Sequence, residues 1–408
     1  MAERLVVTGL GAVSALGLTA DEAWTAARDG RGGVEITLFD PGPHGPPAHS
    51  NPAALVKGDA VAALEAAVGR RIGASLDPFA AYAVKAAHEA LNEAGLLGAP
   101  LGERVACVMG SGIGGLHTLE KGYERFYGMK APKLHPLTVP RVMVSAPVSA
   151  IAMEFGVTGP VFATSSACAS SGHAIAQGAG LIAAGLADVA VVGGSEAMAS
   201  PGDMRAWEGL QAMSGATCRP FSAGRDGMAI GEGAAALVIE RESHAAARGA
   251  KPLAVFAGAG LSSDAFHWTQ PSLEGAVAAM RRACEAGGLA AEREVLISTH
   301  GTGTPLNDKN EAAALRQLFG EAAARHPTIA TKSAHGHVIG ASAALQAVIG
   351  LKALAAGLAP PILGYLGPDE DCAGLDLVLG EARPIGAKAL LVNAFAFGGL
   401  NCALAFRI

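Results

Sequence analysis

Val189-Ala-Val-Val-Gly-Gly194 is a short apolar run, rich in β-branched residues, that ends in a glycine turn. This pattern is typical of a buried β-strand, and it recurs along the chain with alanine-rich stretches of helical length between the copies. The other copies are Leu5-Val-Val-Thr-Gly9, Val105-Ala-Cys-Val-Met-Gly110, Ala234-Ala-Ala-Leu-Val-Ile239, Pro252-Leu-Ala-Val-Phe-Ala-Gly258, Val295-Leu-Ile-Ser-Thr-His-Gly301, Ala389-Leu-Leu-Val-Asn393 and Cys402-Ala-Leu-Ala-Phe406. Continuous apolar strands joined by helices predict mostly parallel sheets that are covered on both faces.

The strands form two series in the same order, which indicates a duplicated chain. The pairs are Leu5 with Leu253, Val105 with Val295, Val189 with Ala389, and Ala236 with Ala403. Only the middle two pairs have nearly equal spacing, so insertions are expected in the first half around residues 30–75, 120–140 and 200–230, where Pro, Gly and charged residues collect. We therefore predict an α/β fold, a five-layered α/β/α/β/α sandwich of two duplicated halves, residues 1–250 and 251–408.

Composition excludes several classes of protein. The chain has 408 residues, of which 50% are hydrophobic and 16% charged, and its net charge is −6. Disorder is excluded, and the absence of basic runs argues against nucleic-acid binding. Six separated cysteines without a CxxC pair favour a reducing cytoplasm over a disulfide framework. The apolar stretch 341–360 contains Gln346 and Lys352, so we predict a buried helix rather than a membrane span, and we interpret the N-terminus as a strand rather than a signal peptide.

Cys168 is the first candidate for chemistry. It lies in Phe162-Ala-Thr-Ser-Ser-Ala-Cys-Ala-Ser-Ser-Gly-His-Ala-Ile175, among small residues, where a strand gives way to an apolar helix. Unpaired N–H groups and the helix dipole favour a thiolate at such a position. A single cysteine is more often a small buried hydrophobic residue, and this alternative remains open. The small neighbours, however, leave room for a substrate.

The second half supplies the groups that would act with this thiol. His300 follows a strand in Ser298-Thr-His-Gly-Thr-Gly-Thr-Pro305, and Lys332, His335 and His337 lie in Thr331-Lys-Ser-Ala-His-Gly-His337, before the helix that duplicates the Cys168 helix. Two equivalent helix starts should face one another, and a Cys with His is the pattern of an activated thiol. Structural roles for the histidines, or a metal site built from His300, His335 and His337, are the alternatives.

With Cys168, His300 and His337 in this order, and with Asn393-Ala-Phe-Ala-Phe-Gly-Gly-Leu-Asn401 near the C-terminus, the sequence resembles the β-ketoacyl-acyl carrier protein synthases, in particular the elongating type II branch. The likeness spans the whole chain. Further motifs are Val6-Val-Thr-Gly-Leu-Gly11, Gly110-Ser-Gly-Ile-Gly-Gly115, Gly193-Gly-Ser-Glu196, Arg219-Pro-Phe-Ser-Ala-Gly-Arg-Asp-Gly227 and Gly231-Glu-Gly233. The resemblance implies a thiolase-like fold and a decarboxylating Claisen condensation.

The resemblance also implies roles for individual residues. Cys168 would carry the acyl chain, His300 and His337 would assist decarboxylation of malonyl-carrier protein, and the N–H groups of Cys168 and Phe397 would form the oxyanion hole. Lys332, paired with Glu311, would be an electrostatic organiser of the site. No metal and no separate cofactor are implied, because the substrates are carried on the phosphopantetheine arm of acyl carrier protein.

Substrate recognition is implied at further positions. Thr302 and Thr304 would bind the phosphopantetheine arm, although they could instead cap the next helix. Phe397 would be a mobile gate, and Ile113 and Trp207 would shape the acyl pocket; a plain core position is the alternative for each of these three. The chain departs from the family pattern at Ala396, where an extra methyl group could stiffen the gate or require an unusual φ, and also at Leu400 and Ser222.

The implied partners are acyl carrier protein and a second copy of the chain. Candidates for a basic docking surface are Arg70, Arg71, Lys130, Lys133 and Arg205, but other positions that are usually basic hold Ala74, Ser75, Pro132 and Gln211. A specialised carrier, in a very-long-chain lipid, polyketide or polyene pathway, is therefore the alternative, with a heterodimer containing a non-catalytic chain-length partner. The rival interpretations are a degradative thiolase, for which Cys402 does not lie in the required glycine turn, and a non-catalytic chain-length subunit, which would lack the nucleophile.

Overall fold

The computed structural model describes residues 3–408; Met1 and Ala2, the start of the predicted N-terminal strand, lie outside the described residues. The strands are β1 (Leu5–Ser14), β2 (Glu35–Phe39), β3 (His49–Ala54), β4 (Val105–Gly110), β5 (Val161–Thr164), β6 (Val189–Glu196), β7 (Ile230–Gly231), β8 (Gly233–Arg241), β9 (Ala254–Ser263), β10 (Leu296–Ser298), β11 (Pro327–Ile329), β12 (Leu358–Ala359), β13 (Asp376–Leu377), β14 (Arg383–Pro384), β15 (Ala389–Ala396) and β16 (Leu400–Arg407). The helices are α1 (Ala20–Arg28), α2 (Ala60–Val68), α3 (Pro78–Glu93), α4 (Leu116–Tyr123), α5 (Thr138–Val142), α6 (Ala146–Phe155), α7 (Ser170–Ala183), α8 (Pro201–Gly209), α9 (Glu242–Ala247), α10 (Leu273–Gly287), α11 (Pro305–Phe319), α12 (Lys332–His335) and α13 (Ser342–Ala356).

The two series of strands occupy equivalent places in one large sheet. Its order is β13-β11-β10-β15-β16-β9-β1-β8-β6-β4-β5, so the two halves join where β1 pairs with β9. Counting outward from this junction, β1, β8, β6, β4 and β5 match β9, β16, β15, β10 and β11. The four strand pairs expected from the sequence are therefore confirmed.

The prediction of mostly parallel strands holds only for the outer part of each half. β4 runs parallel to β5 and β6, and β10 runs parallel to β11 and β15, whereas β1, β8, β9 and β16 pair in antiparallel fashion. In the second half, a tight turn explains why β15 and β16 are antiparallel. Only three residues connect these strands, and so short a connection can join only antiparallel neighbours.

Helices cover both faces of the strands and produce the expected five layers. α7 and α13 pack against one another between the two halves, in a core that includes inward residues of β6 and β15. α3 and α6 cover the outer face of the first half, and α10 and α11 cover the outer face of the second. Alternate residues of one strand serve two layers, since Val191 faces α3 while Val192 faces the central layer. This alternation follows from the two-residue period of a strand.

Close contact between strands and outer helices depends on glycine in both halves. A Cβ atom on Gly11 of β1 would lie 2.0 Å from the carbonyl oxygen of Ala86 in α3. A Cβ atom on Gly260 of β9 would lie 1.9 Å from the carbonyl oxygen of Ala279 in α10. Only glycine permits this approach, which explains part of the unusually high glycine content.

The remaining segments agree with their sequence patterns. The expected insertion around residues 30–75 supplies β2 and β3 of a small sheet, β2-β3-β7, and the N-terminal segment enters the large sheet as β1. One stretch, Ile339–Ala356, is long and apolar enough to cross a bilayer, but 83% of it is buried inside the protein. It includes α13, the helix that was predicted to be buried.

Candidate active site

Cys168 lies in the tight turn between β5 and α7. Ala167, the residue before it, has a φ of 47°, a left-handed conformation that non-glycine residues seldom adopt. The carbonyl of Ala167 accepts hydrogen bonds from the N–H and the hydroxyl of Ser170, which hold this turn in place. The thiol is therefore presented by a strained turn at the start of a helix, as an elbow presents a nucleophile in other enzymes.

Both predicted histidines stand beside this thiol. Nε2 of His337 lies 3.1 Å from Sγ of Cys168, and the rings of His300 and His337 meet edge to face with centroids 5.4 Å apart. The thiol and one nitrogen of each ring all lie within 4.8 Å of one another. The sheet halves thus bring together groups that are separated by more than a hundred residues in sequence.

The contact on the far side of the ring determines which nitrogen of His300 carries the proton, whereas the corresponding contact of His337 allows either nitrogen to carry it. Nζ of Lys332 lies 3.4 Å from Nδ1 of His300, and an ammonium can only donate. Nδ1 must then accept, so Nε2 of His300 carries the proton. Nδ1 of His337 lies 2.9 Å from Oγ of Ser342, and a hydroxyl can serve either tautomer. His337 can therefore take a proton from the thiol or donate one to a substrate.

The thiol is less acidic than its place at a helix start predicts. Burial raises the pKa of Cys168 to about 11, although the charge of Lys332 and hydrogen bonds from the N–H groups of Phe397 and Cys168 oppose this rise. The thiol is therefore protonated near neutral pH, contrary to the thiolate favoured at a helix start, because desolvation of the anion outweighs the effects of Lys332 and the two N–H groups. Burial also lowers the pKa of both His300 and His337 well below the usual value, so both rings are neutral.

Lys332 and Glu311 are both fully buried, but the expected direct ion pair between them does not form. Within residues 3–408, no hydrogen bond or ion pair joins the two side chains. Nζ of Lys332 donates to the carbonyl of His300 at 2.6 Å and to Gln346 at 2.6 Å. The carboxylate of Glu311 accepts instead from the N–H groups of His300 and Gly301, each at 2.8 Å. Burial lowers the pKa of Lys332, and the more distant charge of Glu311 raises it.

A cavity of about 330 Å³ leads from the surface to these groups. Cys168, His300 and His337 line its inner end, and Thr302, Thr304 and Phe397 line its walls. Its rim carries exposed apolar side chains, namely Leu210, Trp268 and Leu306. The cavity therefore links exposed apolar side chains at the surface to the buried thiol.

Two residues expected to shape an acyl pocket do not border this cavity. Ile113 lies in the loop after β4 and is 40% exposed, while Trp207 is buried in α8 within the central core. Thr302 and Thr304 do line it, and their hydroxyl oxygens lie 2.9 Å apart. Thr304 precedes α11, but its side chain makes no capping hydrogen bond, which leaves both hydroxyls to the cavity.

Phe397 begins the turn between β15 and β16. Gly398 and Gly399 have φ values of 81° and 71°, whereas Ala396 ends β15 without a positive φ, so its methyl group causes no backbone strain. Ala396 and Leu400, two departures from the family pattern, are cross-strand partners at the base of this turn. The turn is anchored to the neighbouring loop, because the N–H of Gly398 donates to the carbonyl of Trp268 at 2.7 Å.

The remaining expectations concern charge and metal. Arg70, Arg71, Lys130, Lys133 and Arg205 are all exposed, but none lines the cavity. Arg70 forms an ion pair with Glu154, and Arg205 forms one with Glu208.

His335 does not join the cluster of Cys168, His300 and His337, since its Nε2 bonds to the hydroxyl of Thr331. The metal site suggested as an alternative therefore does not form from the three histidines. Ser222, the third departure, is buried, and its hydroxyl accepts from the N–H of Leu366.

Sequence reasoning assigned no role to several residues that support this site. Gln346 contacts Lys332, Ser342 contacts His337, and Asn393 donates to Glu311 at 3.0 Å. The one signal available in the sequence is the polar side chain of Gln346 inside an apolar helix. The contacts themselves depend on how α13 packs.

Comparison with known proteins agrees with the geometry. The family model described as "Beta-ketoacyl synthase, N-terminal domain" matches residues 2–245, and "Beta-ketoacyl synthase, C-terminal domain" matches residues 253–366. "Nodulation protein E" of Rhizobium meliloti (strain 1021) is 39% identical over the full length of both chains. "3-oxoacyl-[acyl-carrier-protein] synthase 2" of Coxiella burnetii is 35% identical, over 98% of this chain and 97% of that protein.

A solved structure is also similar to this chain over its full length. A chain of "The ishigamide ketosynthase/chain length factor" superposes with a TM-score of 0.91 at 30% identity, covering 100% of this chain and 99% of the other. Both family models, these full-length relatives and the arrangement of one thiol with two imidazoles lead to one conclusion. The chain is an acyltransferase-type enzyme with a thiolase-like fold, and it belongs to the β-ketoacyl synthase family.

Proposed function

We propose that this enzyme catalyses a decarboxylating Claisen condensation between an acyl group held on Cys168 and malonyl-acyl carrier protein, to give a β-ketoacyl-carrier protein. The observation that carries the proposal is the contact of 3.1 Å between Sγ of Cys168 and Nε2 of His337, with His300 in the same cluster. One thiol accounts for acyl transfer, and two neutral imidazoles account for carbanion formation.

Acylation of the thiol is the first step. Sγ of Cys168 attacks the carbonyl carbon of the incoming acyl thioester while its proton passes to Nε2 of His337. The tetrahedral oxyanion accepts hydrogen bonds from the N–H groups of Cys168 and Phe397, which already point toward the sulfur. The carrier thiolate then leaves with the proton from His337, so the enzyme returns to a neutral charge state.

Condensation follows when a malonyl thioester replaces the first carrier. For this step the neutral ring of His337 carries its proton on Nε2, and Nδ1 accepts from the hydroxyl of Ser342. The thioester carbonyl then accepts hydrogen bonds from Nε2 of His300 and Nε2 of His337, which stabilise the enolate formed as the C–C bond to the carboxylate breaks and CO₂ leaves. The α-carbon attacks the acyl carbonyl on Cys168, and Sγ leaves as a thiolate that takes up one proton from solvent to restore the thiol. The ammonium of Lys332 keeps His300 in the tautomer that donates.

The carrier would be an acyl carrier protein, with its phosphopantetheine arm in the cavity beside Thr302 and Thr304, and no metal or separate cofactor is needed. Leu210, Trp268 and Leu306 surround the mouth of the cavity, and the five exposed basic residues lie elsewhere. This apolar rim favours a specialised carrier. A long-chain lipid, polyketide or polyene pathway is therefore the second candidate.

We expect the enzyme to act in the cytoplasm as a dimer. Its six cysteines are free and buried, which suits a reducing compartment. β5 ends the large sheet, and Phe162 on this strand and Met153 on α6 are exposed. A second copy, or a non-catalytic chain-length partner, would cover this edge, and Ile113 would then lie close to the interface.

The test is mass spectrometry of the intact chain after incubation with acyl-carrier proteins of graded length, followed by malonyl-carrier protein. The wild-type chain should gain one acyl group on Cys168 and then release a β-ketoacyl product, and the length retained identifies the pathway. Cys168→Ala should abolish both steps, whereas Cys372→Ala, at a buried thiol outside the cavity, should retain them. His300→Ala should still acylate but should release no CO₂.

Two outcomes would decide against parts of this proposal. Acylation that survives in Cys168→Ala would remove the nucleophile assigned here. A sedimentation experiment that finds a monomer at every concentration, active without any added subunit, would exclude both kinds of dimer. Activity that appears only with a chain-length partner would favour the second candidate.

A further inference from the structure

Gln346 is a neutral polar residue in the middle of the apolar helix α13, and the mechanism above gives it no role. Its side chain is fully buried. Oε1 accepts a hydrogen bond from Nζ of Lys332 at 2.6 Å, and Nε2 donates to the carbonyl of Thr299 at 2.7 Å, with the carbonyl of Asn393 at 3.3 Å. The residue thus connects the buried ammonium to the backbone just after β10 and in the middle of β15.

The surroundings of this amide fix its orientation. An ammonium can only donate and a backbone carbonyl can only accept, so the oxygen must face Lys332 and the nitrogen must face the carbonyls. A carboxylate at position 346 would place an acceptor against the carbonyl of Thr299. A hydrocarbon side chain would leave both the ammonium and the carbonyl without this partner. The site is therefore complementary to an amide.

The charge balance around Lys332 gives this arrangement a consequence for the active site. The titratable groups that face it are Glu311 and Asp308 from α11, Cys168 before α7, Cys218 from the loop after α8, His300 after β10, and His335 and His337 from α12 and the loop that follows it. The atoms in direct contact with the ammonium are nevertheless neutral, namely the carbonyl and Nδ1 of His300 and Oε1 of Gln346. Among residues 3–408, no carboxylate touches this ammonium to cancel its field at Cys168, whose pKa is also raised by the charge of the buried Glu196.

We propose that Gln346 is a positioning residue, which holds the ammonium of Lys332 against His300 without neutralising it and thereby sets the pH range over which Cys168 ionises. Its use in catalysis rests on the proposed function, since the same ammonium keeps His300 in its donating tautomer. The electrostatic link to Cys168 exists whether or not the substrate has been identified correctly. This allows the two ideas to be tested separately.

The experiment measures the rate of alkylation of Cys168 by iodoacetamide between pH 7 and 10, read by peptide mass spectrometry, in the full-length chain. Gln346→Glu should cancel the field of Lys332 and slow alkylation about tenfold at pH 7, below the pKa of about 8 at which Lys332 itself loses its charge. Gln346→Met should change the rate in the same direction, because the ammonium loses an acceptor and is lost at lower pH. Gln317→Glu, the same change on an exposed face of α11, should leave the wild-type curve.

The outcomes separate a positioning role from a packing role. Folded variants at position 346 that melt earlier but alkylate along the wild-type curve would overturn the proposal. If Gln346→Glu does not fold, the curve of Gln346→Met decides in the same way. A parallel assay of CO₂ release from malonyl-carrier protein tests the proposed function, and a wild-type chain without this activity would sink that function while leaving the alkylation result intact.

Discussion

His337→Ala is the substitution whose effect can be worked most directly from the structure. Among the described residues 3–408, His337 supplies the side-chain nitrogen that contacts Sγ of Cys168, at 3.1 Å. With the pKa of the thiol raised to about 11 by burial, only about one molecule in ten thousand carries a thiolate at pH 7. Proton transfer to a positioned base typically contributes about 10²- to 10⁴-fold to a rate. We therefore expect acylation at pH 7 to slow by about 10²- to 10⁴-fold in the variant.

The pH dependence provides the sharper part of this prediction. Because the pKa of Cys168 lies above neutrality, the thiolate becomes more abundant as pH rises, and acylation of His337→Ala should increase about tenfold per unit from pH 7 to 10. Single-turnover acylation by an acyl-pantetheine thioester, followed by intact mass, measures both effects. His335→Ala is the matched control, since this buried ring bonds to Thr331 and not to the thiol. Acylation of His337→Ala within a few-fold of wild type at pH 7 would refute the reasoning.

Three further predictions concern stability and the gate. Gly260→Ala should lower the free energy of unfolding in urea by about 3 kcal/mol or more, because its new methyl group meets a backbone carbonyl. Gly180→Ala, with open space around it, should be neutral or slightly stabilising. Equal effects of the two substitutions would contradict the packing argument. Glu311→Gln should lower the free energy of unfolding by about 2–4 kcal/mol in the same assay, since an amide nitrogen then faces a backbone N–H group that has lost its acceptor. An unchanged urea midpoint would argue against this hydrogen-bond network. Ala396→Gly should loosen the base of the turn opposite Leu400 and speed alkylation of Cys168, measured by mass spectrometry; an unaltered rate would show that the methyl group does not stiffen the gate.

Much of the architecture could be predicted from local sequence patterns. The apolar runs gave the strands, and their repeated order gave the matched positions in the two halves, because strand and helix periodicity depend on neighbouring residues. The relative direction of neighbouring strands was predicted less well. The antiparallel centre depends on which strands meet across the duplication and on the short turn at Phe397, and neither is visible in the composition of a single strand.

The same division applies to the site. Cys168, His300, Lys332 and His337 could be selected because each lies at the start or end of an element and because the motifs around them resemble those of the β-ketoacyl synthases. The protonation states of these residues could not be predicted from the sequence. Burial disfavours the charged form of each group by an amount that depends on how completely the surrounding segments exclude water.

By itself, then, the sequence determined the strand and helix pattern, the duplication and the identity of the reactive groups. Only the tertiary structure decided that Lys332 contacts Gln346 rather than Glu311, that burial raises the pKa of the Cys168 thiol, and that Ile113 and Trp207 do not line the cavity. The physical reason is that hydrogen-bond partners and local dielectric are properties of segments packed from distant parts of the chain.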